Sequence, residues 1–168
     1  MAWIDLNGPV LADTVYDAGK LVAKDVTITL PAINLLTADF KAMATLTLPI
    51  IGQIEAMEAT VNKVGTDMGL RSMASLDSRT LEFRWVQDVK KADGSTKTVG
   101  CKAFLRVVTK TIPGLSVDPG SQSENELGYA VSRYQLFVDG TEYWLIDQLN
   151  QILRVGGKDY YKQIRSLL

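Results

Sequence analysis

The sequence predicts a mainly β (α+β) chain: an antiparallel two-sheet β-barrel or sandwich with one short internal helix and a short C-terminal helix. Three observations carry that expectation. Apolar and polar residues alternate at period two in several separate runs, the pattern of a half-buried strand. Turn dipeptides such as Asp139-Gly140 and Gly156-Gly157 punctuate those runs. Helical spacing of apolar residues is confined to two short places, around 66–76 and after Asp159. The 168 residues fit one domain, 1–168, long enough to bury a core.

Two short strands flank a turn at residues 17–20. Val26, Ile28 and Leu30 then alternate with Thr27 and Thr29, and Leu46 and Leu48 repeat the alternation in ATLTLPI. The intervening AINLLTADFKAM has no type that its periodicity settles. QIEAMEATVNKV reads as a further strand, with Ile54, Ala56 and Glu58 along it. TDMGLRSMASL reads as a short helix capped by Thr66 or Asp67, with Met68, Met73 and Leu76 as its apolar stripe. TLEFRWVQDV and TVGCKAFLRVV make a long hairpin through ADGS, with Leu81, Phe83 and Trp85 on one face and Glu82, Arg84 and Val86 on the other. Residues 112–128 are rich in Pro, Gly, Ser and acids, and read as a polar surface loop.

Asp139-Gly140 is a strong two-residue hairpin signal, because both central residues must tolerate positive φ. It sets Val138 opposite Thr141, Leu136 opposite Tyr143 and Tyr134 opposite Leu145. The other face then carries Arg133, Gln135, Phe137, Glu142, Trp144 and Ile146. Three large apolar groups are more than a wet face needs. Asp147 to Asn150 breaks the strand, where short polar side chains bond backbone. QILRV resumes it, and Gly156-Gly157 turns the chain. Asp159 caps a last helix with Tyr160, Tyr161, Ile164, Leu167 and Leu168 on one stripe.

Composition narrows the chemistry. Lys plus Arg number 18 against 19 Asp plus Glu, which argues against a protein held on nucleic acid by phosphate contacts. There is no histidine, so the commonest general base and metal ligand is missing. The single Cys101 sits in an alternating strand run and reads as a small buried hydrophobe. The carboxylates Glu55 and Glu58, Glu142 and Asp147, and Glu124 and Glu126 have no partner constellation for acid–base work. No catalytic, cofactor or metal residue is expected. MAWIDLNGPV lacks the features of a secretory leader, no apolar run reaches membrane-spanning length, and a soluble cytosolic product is expected.

What remains is surface. Residues 26–54 hold only two charges, Asp39 and Lys41, in a Thr-, Ile-, Leu- and Ala-rich run. Exposed, such a run invites aggregation. It is either ordinary sandwich core or a face covered by identical copies. On the second view residues 31–52 form an extended loop or hairpin to a neighbouring subunit or ring. The candidate interface is then Leu35, Leu36, Phe40, Met43, Leu46 and Leu48, with Phe137, Trp144 and Ile146 from the hairpin face.

The C-terminal pattern Leu136, Asp139, Gly140, Glu142, Ile146, Asp147, Asn150, Ile152, Val155, Gly157 and Asp159, with Arg165 in the following helix, resembles the major tail tube proteins of contractile-tailed bacteriophages. About fifty residues match in motif and order, including the Pro/Gly/Glu loop before the hairpin. The middle matches in layout and the N-terminal third weakly. The resemblance implies hexameric rings, each subunit lending strands to a continuous inner barrel, stacked into a tube that conducts DNA. It implies self-association and contact with a tail sheath protein, a baseplate or tube initiator, a tail terminator, a tape measure protein and transient DNA, without a membrane anchor. It places the chain in the virion tail, assembled in host cytoplasm. Asp139, Gly140, Asp147, Asn150, Gly157 and Asp159 take structural roles in this picture. Related expectations are the tube of a bacteriocin-type particle or a type VI-like secretion system. A different class is a small monomeric β-barrel binding an apolar ligand between Phe83, Trp85, Phe137 and Trp144.

Overall fold

A computed structural model describes residues 5–168; residues 1–4, on which part of the leader expectation falls, lie outside the described residues. The strands are β1 (Leu6–Asp17), β2 (Lys20–Lys24), β3 (Thr27–Thr29), β4 (Leu35–Ala42), β5 (Ala44–Ile54), β6 (Met57–Val64), β7 (Arg79–Lys90), β8 (Thr96–Thr111), β9 (Glu124–Val138), β10 (Thr141–Asp147), β11 (Ile152–Val155) and β12 (Lys158–Asp159). Two short helices are α1 (Met68–Met73) and α2 (Lys162–Leu167). The expected mainly β class holds, as a sandwich rather than a closed barrel.

All pairings are antiparallel, and the large sheet runs β12-β11-β10-β9-β8-β7-β1-β2. It forks at β9. One edge of β9 pairs with β8 from Gly128 to Val138. The other edge is shared: Glu124–Val131 pairs with β6, and Arg133–Val138 pairs with β10. Strand β3 lies outside β6. The fork folds one strand system over the other, and the core fills the space between. Met57, Val61, Met73, Leu81, Phe83, Leu105, Leu127, Tyr129 and Ile146 are fully buried there. The β7–β8 hairpin is as expected, with Leu81 and Phe83 in the core and Trp85 packed at its margin.

Helix α1 starts where Asp67 accepts the Leu70 amide at 3.0 Å. Gly69 lets it seat on β2, because a Cβ there would overlap the Val22 carbonyl. Its end is held by residues the sequence pattern does not flag. The Met73 carbonyl accepts the Tyr129 hydroxyl at 2.9 Å and the Arg79 guanidinium, and the Ser75 carbonyl accepts the Thr109 hydroxyl at 2.6 Å. Of the expected stripe only Met73 is buried. Met68 and Leu76 are exposed, and Leu70 takes their place, because β2 covers one side of so short a helix.

Three further expectations change. The loop at 112–128 ends early, since β9 begins at Glu124; Leu127 faces the core and Asn125 is buried with its amide on the Gly65 carbonyl. In QIEAMEATVNKV the strand that enters the body starts at Met57, and its inward face is Met57, Ala59 and Val61. The register past Asp139-Gly140 shifts between Glu142 and Trp144, so Leu136 pairs with Trp144 and Tyr134 with Ile146. This bulge moves Trp144 and Ile146 to the core side.

The Lys63 ammonium, itself buried, donates to Asp67 at 2.9 Å. With the Leu70 amide it holds the Asp67 carboxyl below its ordinary value of 3.8. A depressed folded-state pKa adds stability above that ordinary value, and the contribution is lost as pH falls through the folded value. Asp67→Ala is expected to cost ~1 kcal/mol in urea unfolding at pH 7. Asp67→Asn keeps the cap and loses only the charge, so its deficit is expected near neutrality and closes in acid below the ordinary carboxyl range. A pH-independent gap would contradict the pairing.

Candidate assembly surfaces

The residues of the C-terminal motif are occupied with the chain's own backbone. Asp139 and Gly140 take φ of +51° and +78°, the left-handed pair a tight hairpin turn requires. The Asp139 amide donates to Gly100 and its carboxylate accepts Lys97 at 2.7 Å, tying the turn to β8. Asp147 is 4% exposed and closes the β10–β11 corner. One oxygen accepts the Asn150 amide at 3.1 Å, the other accepts the Asn150 side chain at 2.7 Å, and Arg133 stands 3.8 Å away. Gly156 and Gly157 both have positive φ in the next turn.

Asp159 sits two residues before the Tyr161 N-cap rather than in the cap itself. Its carboxylate accepts the Tyr161 amide at 3.0 Å and Arg165 at 2.8 Å. The Arg165 guanidinium is the main cause that holds this carboxyl below its ordinary range. Arg165 also donates to the Gln151 carbonyl at 2.7 Å. Helix α2 buries none of its residues, so the expected apolar stripe of Ile164, Leu167 and Leu168 lies open.

Strands β4 and β5 form a separate two-stranded sheet, joined by Met43 alone at φ +60°. Most of the segment 31–52 therefore lies in one hairpin, from Leu35 to Ile54. Its pairs sort by face: Ala38 with Leu48, Phe40 with Leu46 and Ala42 with Ala44 on one side; Asp39 with Thr47 and Lys41 with Thr45 on the other. The second face is polar, and the Thr47 hydroxyl donates to Asp39 at 2.7 Å. The first is a continuous apolar strip that the chain leaves uncovered. Phe40 is 53% exposed, Leu46 49% and Leu48 41%. Leu36 and Met43 are exposed as well, while Leu35 at the base packs on the core margin with Ile33 and Ile54.

The structure thus brings Phe40, Leu46 and Leu48 together. The three expected on the C-terminal hairpin are placed on other elements. Ile146 is fully buried in the chain's own core and Trp144 packs against that core, a consequence of the β10 bulge. Ile146 therefore has no surface to offer a neighbour, while Trp144 is half-buried beside the base of the arm. Phe137 points the opposite way and stacks edge-on against Phe104 at 5.9 Å. Because Phe83 is core and Phe137 lies on the far face, the aromatics expected to line a ligand cavity do not converge.

Among the described residues, stretches of the inner strands β1 and β8 are also paired on one side only. Residues 6–12 of β1 pair with β7 on one side, while β2 joins only from Thr14. Residues 96–99 of β8 pair with β7, while β9 joins only from Cys101. Leu6, Val10 and Leu11 are exposed along the first edge. Cys101 is buried, which pushes its thiol up and away from nucleophilic use. Among the described residues no group of three or more His, Cys, Asp or Glu converges as a metal site, and no helix is long and apolar enough to cross a membrane.

The family model described as phage tail tube protein FII matches residues 12–168. No curated protein matches the chain.

Asp147→Ala removes a buried charged acceptor and frees the β10–β11 corner. It is expected to lower stability by ~2 kcal/mol, read by urea unfolding of the monomer, with Asp147→Asn costing less. Equal stability of Asp147→Ala and the parent would contradict the assigned role.

Proposed function

The chain belongs to the phage tail tube protein FII family, and from that premise we propose that it forms hexameric rings stacked as the inner tube of a contractile phage tail, the conduit for DNA. The family is one of structural proteins; its tube role places the chain in the virion tail and implies self-assembly. The observation that carries the finer proposal is the uncovered apolar face of the β4–β5 arm. A two-stranded ribbon is marginal in water by itself. Apolar surface gains about 25 cal/mol for each Å² removed from water, so an identical neighbour is the economical cover.

The arm reaches a second subunit through Phe40, Leu46 and Leu48. The open edges of β1 and β8 supply backbone groups for lateral pairing, which extends the sheet from one copy to the next. Sixfold order, the contractile sheath around the tube, and the initiator, terminator and tape measure partners follow from the family resemblance. A net charge of −1 supports a bore that does not hold phosphate. Assembly in host cytoplasm belongs to the same proposal. DNA inside purified particles distinguishes a phage tail from a bacteriocin-type particle.

Replacing residues 38–48 with Gly-Gly between Thr37 and Pro49 is expected to leave a folded chain that sediments as a monomer and makes no tubes. The point variant Phe40→Asp with Leu46→Asp is expected to do the same without shortening the chain. Long tubes from either, seen by negative-stain microscopy, would refute the arm's role.

A further inference from the structure

The base of the arm is irregular, and one side chain lies against it. Thr37 pairs with Pro49, yet Leu35 pairs with Ile54, so the ladder slips at Leu36 and residues 50–53 bulge out of it. Gly52, within that bulge, has φ +86°. A bulge with a left-handed glycine is where a strand bends most easily. The Tyr161 ring rests directly on the Gly52 Cα: a Cβ at Gly52 would overlap Cδ2 and Cε2 of that ring.

The contact is not enclosed. A cavity of about 410 Å³ is lined by Gly52 and Tyr161 themselves, with Leu36, Gln53, Gln148 and Gln151. A second, apolar one of about 560 Å³ is lined by their chain neighbours Ile51 and Tyr160, with Ile33 and Trp144. The base of the arm therefore borders open space, and the Tyr161 ring is the side chain set against Gly52 there. Tyr161 is itself fixed. The Asp159 carboxylate accepts its amide, the Arg165 amide donates to its carbonyl at 2.9 Å, and Arg165 bridges Asp159 to the Gln151 carbonyl. Helix α2 buries none of its own residues; its network holds the Tyr161 backbone, and the Tyr161 side chain packs against the margin of the core.

We propose that Tyr161 is a latch on the Gly52 hinge, by which the C-terminal segment presets the angle at which the β4–β5 arm leaves the body. The inference rests on the arm's engaging a neighbouring copy. A preset arm does not lose orientational freedom at docking, and more of the free chains are competent to bind.

The test uses spin labels at Thr45→Cys, on the arm, and Ala92→Cys, on the β7–β8 turn, in a Cys101→Ala background. Distances are read on dilute, unassembled chains, and assembly is followed by light scattering. The parent and Tyr161→Phe are expected to give one narrow distance and the same lag. Tyr161→Ala is expected to broaden the distance and lengthen the lag several-fold, in a body that remains folded by its unfolding transition. Gly52→Ala, which displaces the ring, is expected to broaden it too. A narrow, unmoved distance in Tyr161→Ala, or assembly as fast as the parent's or faster, overturns the proposal. The distances involve no neighbour, so they judge the latch separately from the arm-shortened chain, which judges the docking.

Discussion

Strand β9 has backbone donors and acceptors to satisfy along both edges of its 15 residues, and the rest of the architecture follows from how it does so. A buried strand cannot leave those groups unpaired. One edge is taken by β8, while the other is too long for either β6 or β10 and is divided between them. The division makes the two strand systems diverge and face each other, so the chain builds a sandwich core without closing a barrel. The β4–β5 hairpin pairs only with itself and leaves the body as an arm with one apolar face uncovered.

Polar groups inside the body are handled locally. The last carbonyls of α1 receive the Tyr129 hydroxyl, the Thr109 hydroxyl and the Arg79 guanidinium, whose Nε also faces the Asp17 carboxylate at 3.4 Å. Burial pushes the Tyr129 hydroxyl far above its ordinary value, so it remains a neutral donor. Tyr134, packed edge-on against Trp144, is pushed up to about 12 by the same desolvation. These groups stabilise the body. What the chain presents outward is apolar ribbon, free strand edges and a short tail helix, the inventory of a self-assembling part.

Much of this was legible in the sequence because local chemistry announces it. Asp139-Gly140, Gly156-Gly157, the Asp147–Asn150 corner and the β7–β8 hairpin depend on adjacent residues and period-two alternation. The arm was visible as a charge-poor run and β5 as the alternation in ATLTLPI, although β4 was not, since Ala, Leu and Thr in AINLLTADFKAM favour no one period. The β10 bulge was not legible. A one-residue slip leaves alternation intact on either side and exchanges the two faces, so alternation alone puts Trp144 and Ile146 on the outward face. Arg79, Thr109 and Tyr129 meet only through tertiary folding, and nothing in their spacing joins them. Gly52 did carry a signal: a lone glycine in a strand marks a bend or a close approach, though Tyr161 as its partner could be found only in three dimensions.

The account turns on identical neighbours covering the arm, and the most direct measurement of that is a cryo-EM map of tubes assembled from the unmodified chain. It predicts Phe40, Leu46 and Leu48 packed against another subunit, with the ribbon's polar side, Asp39 and Thr47, turned outward from that contact. A map in which the chain forms tubes while those three side chains remain in solvent would contradict it.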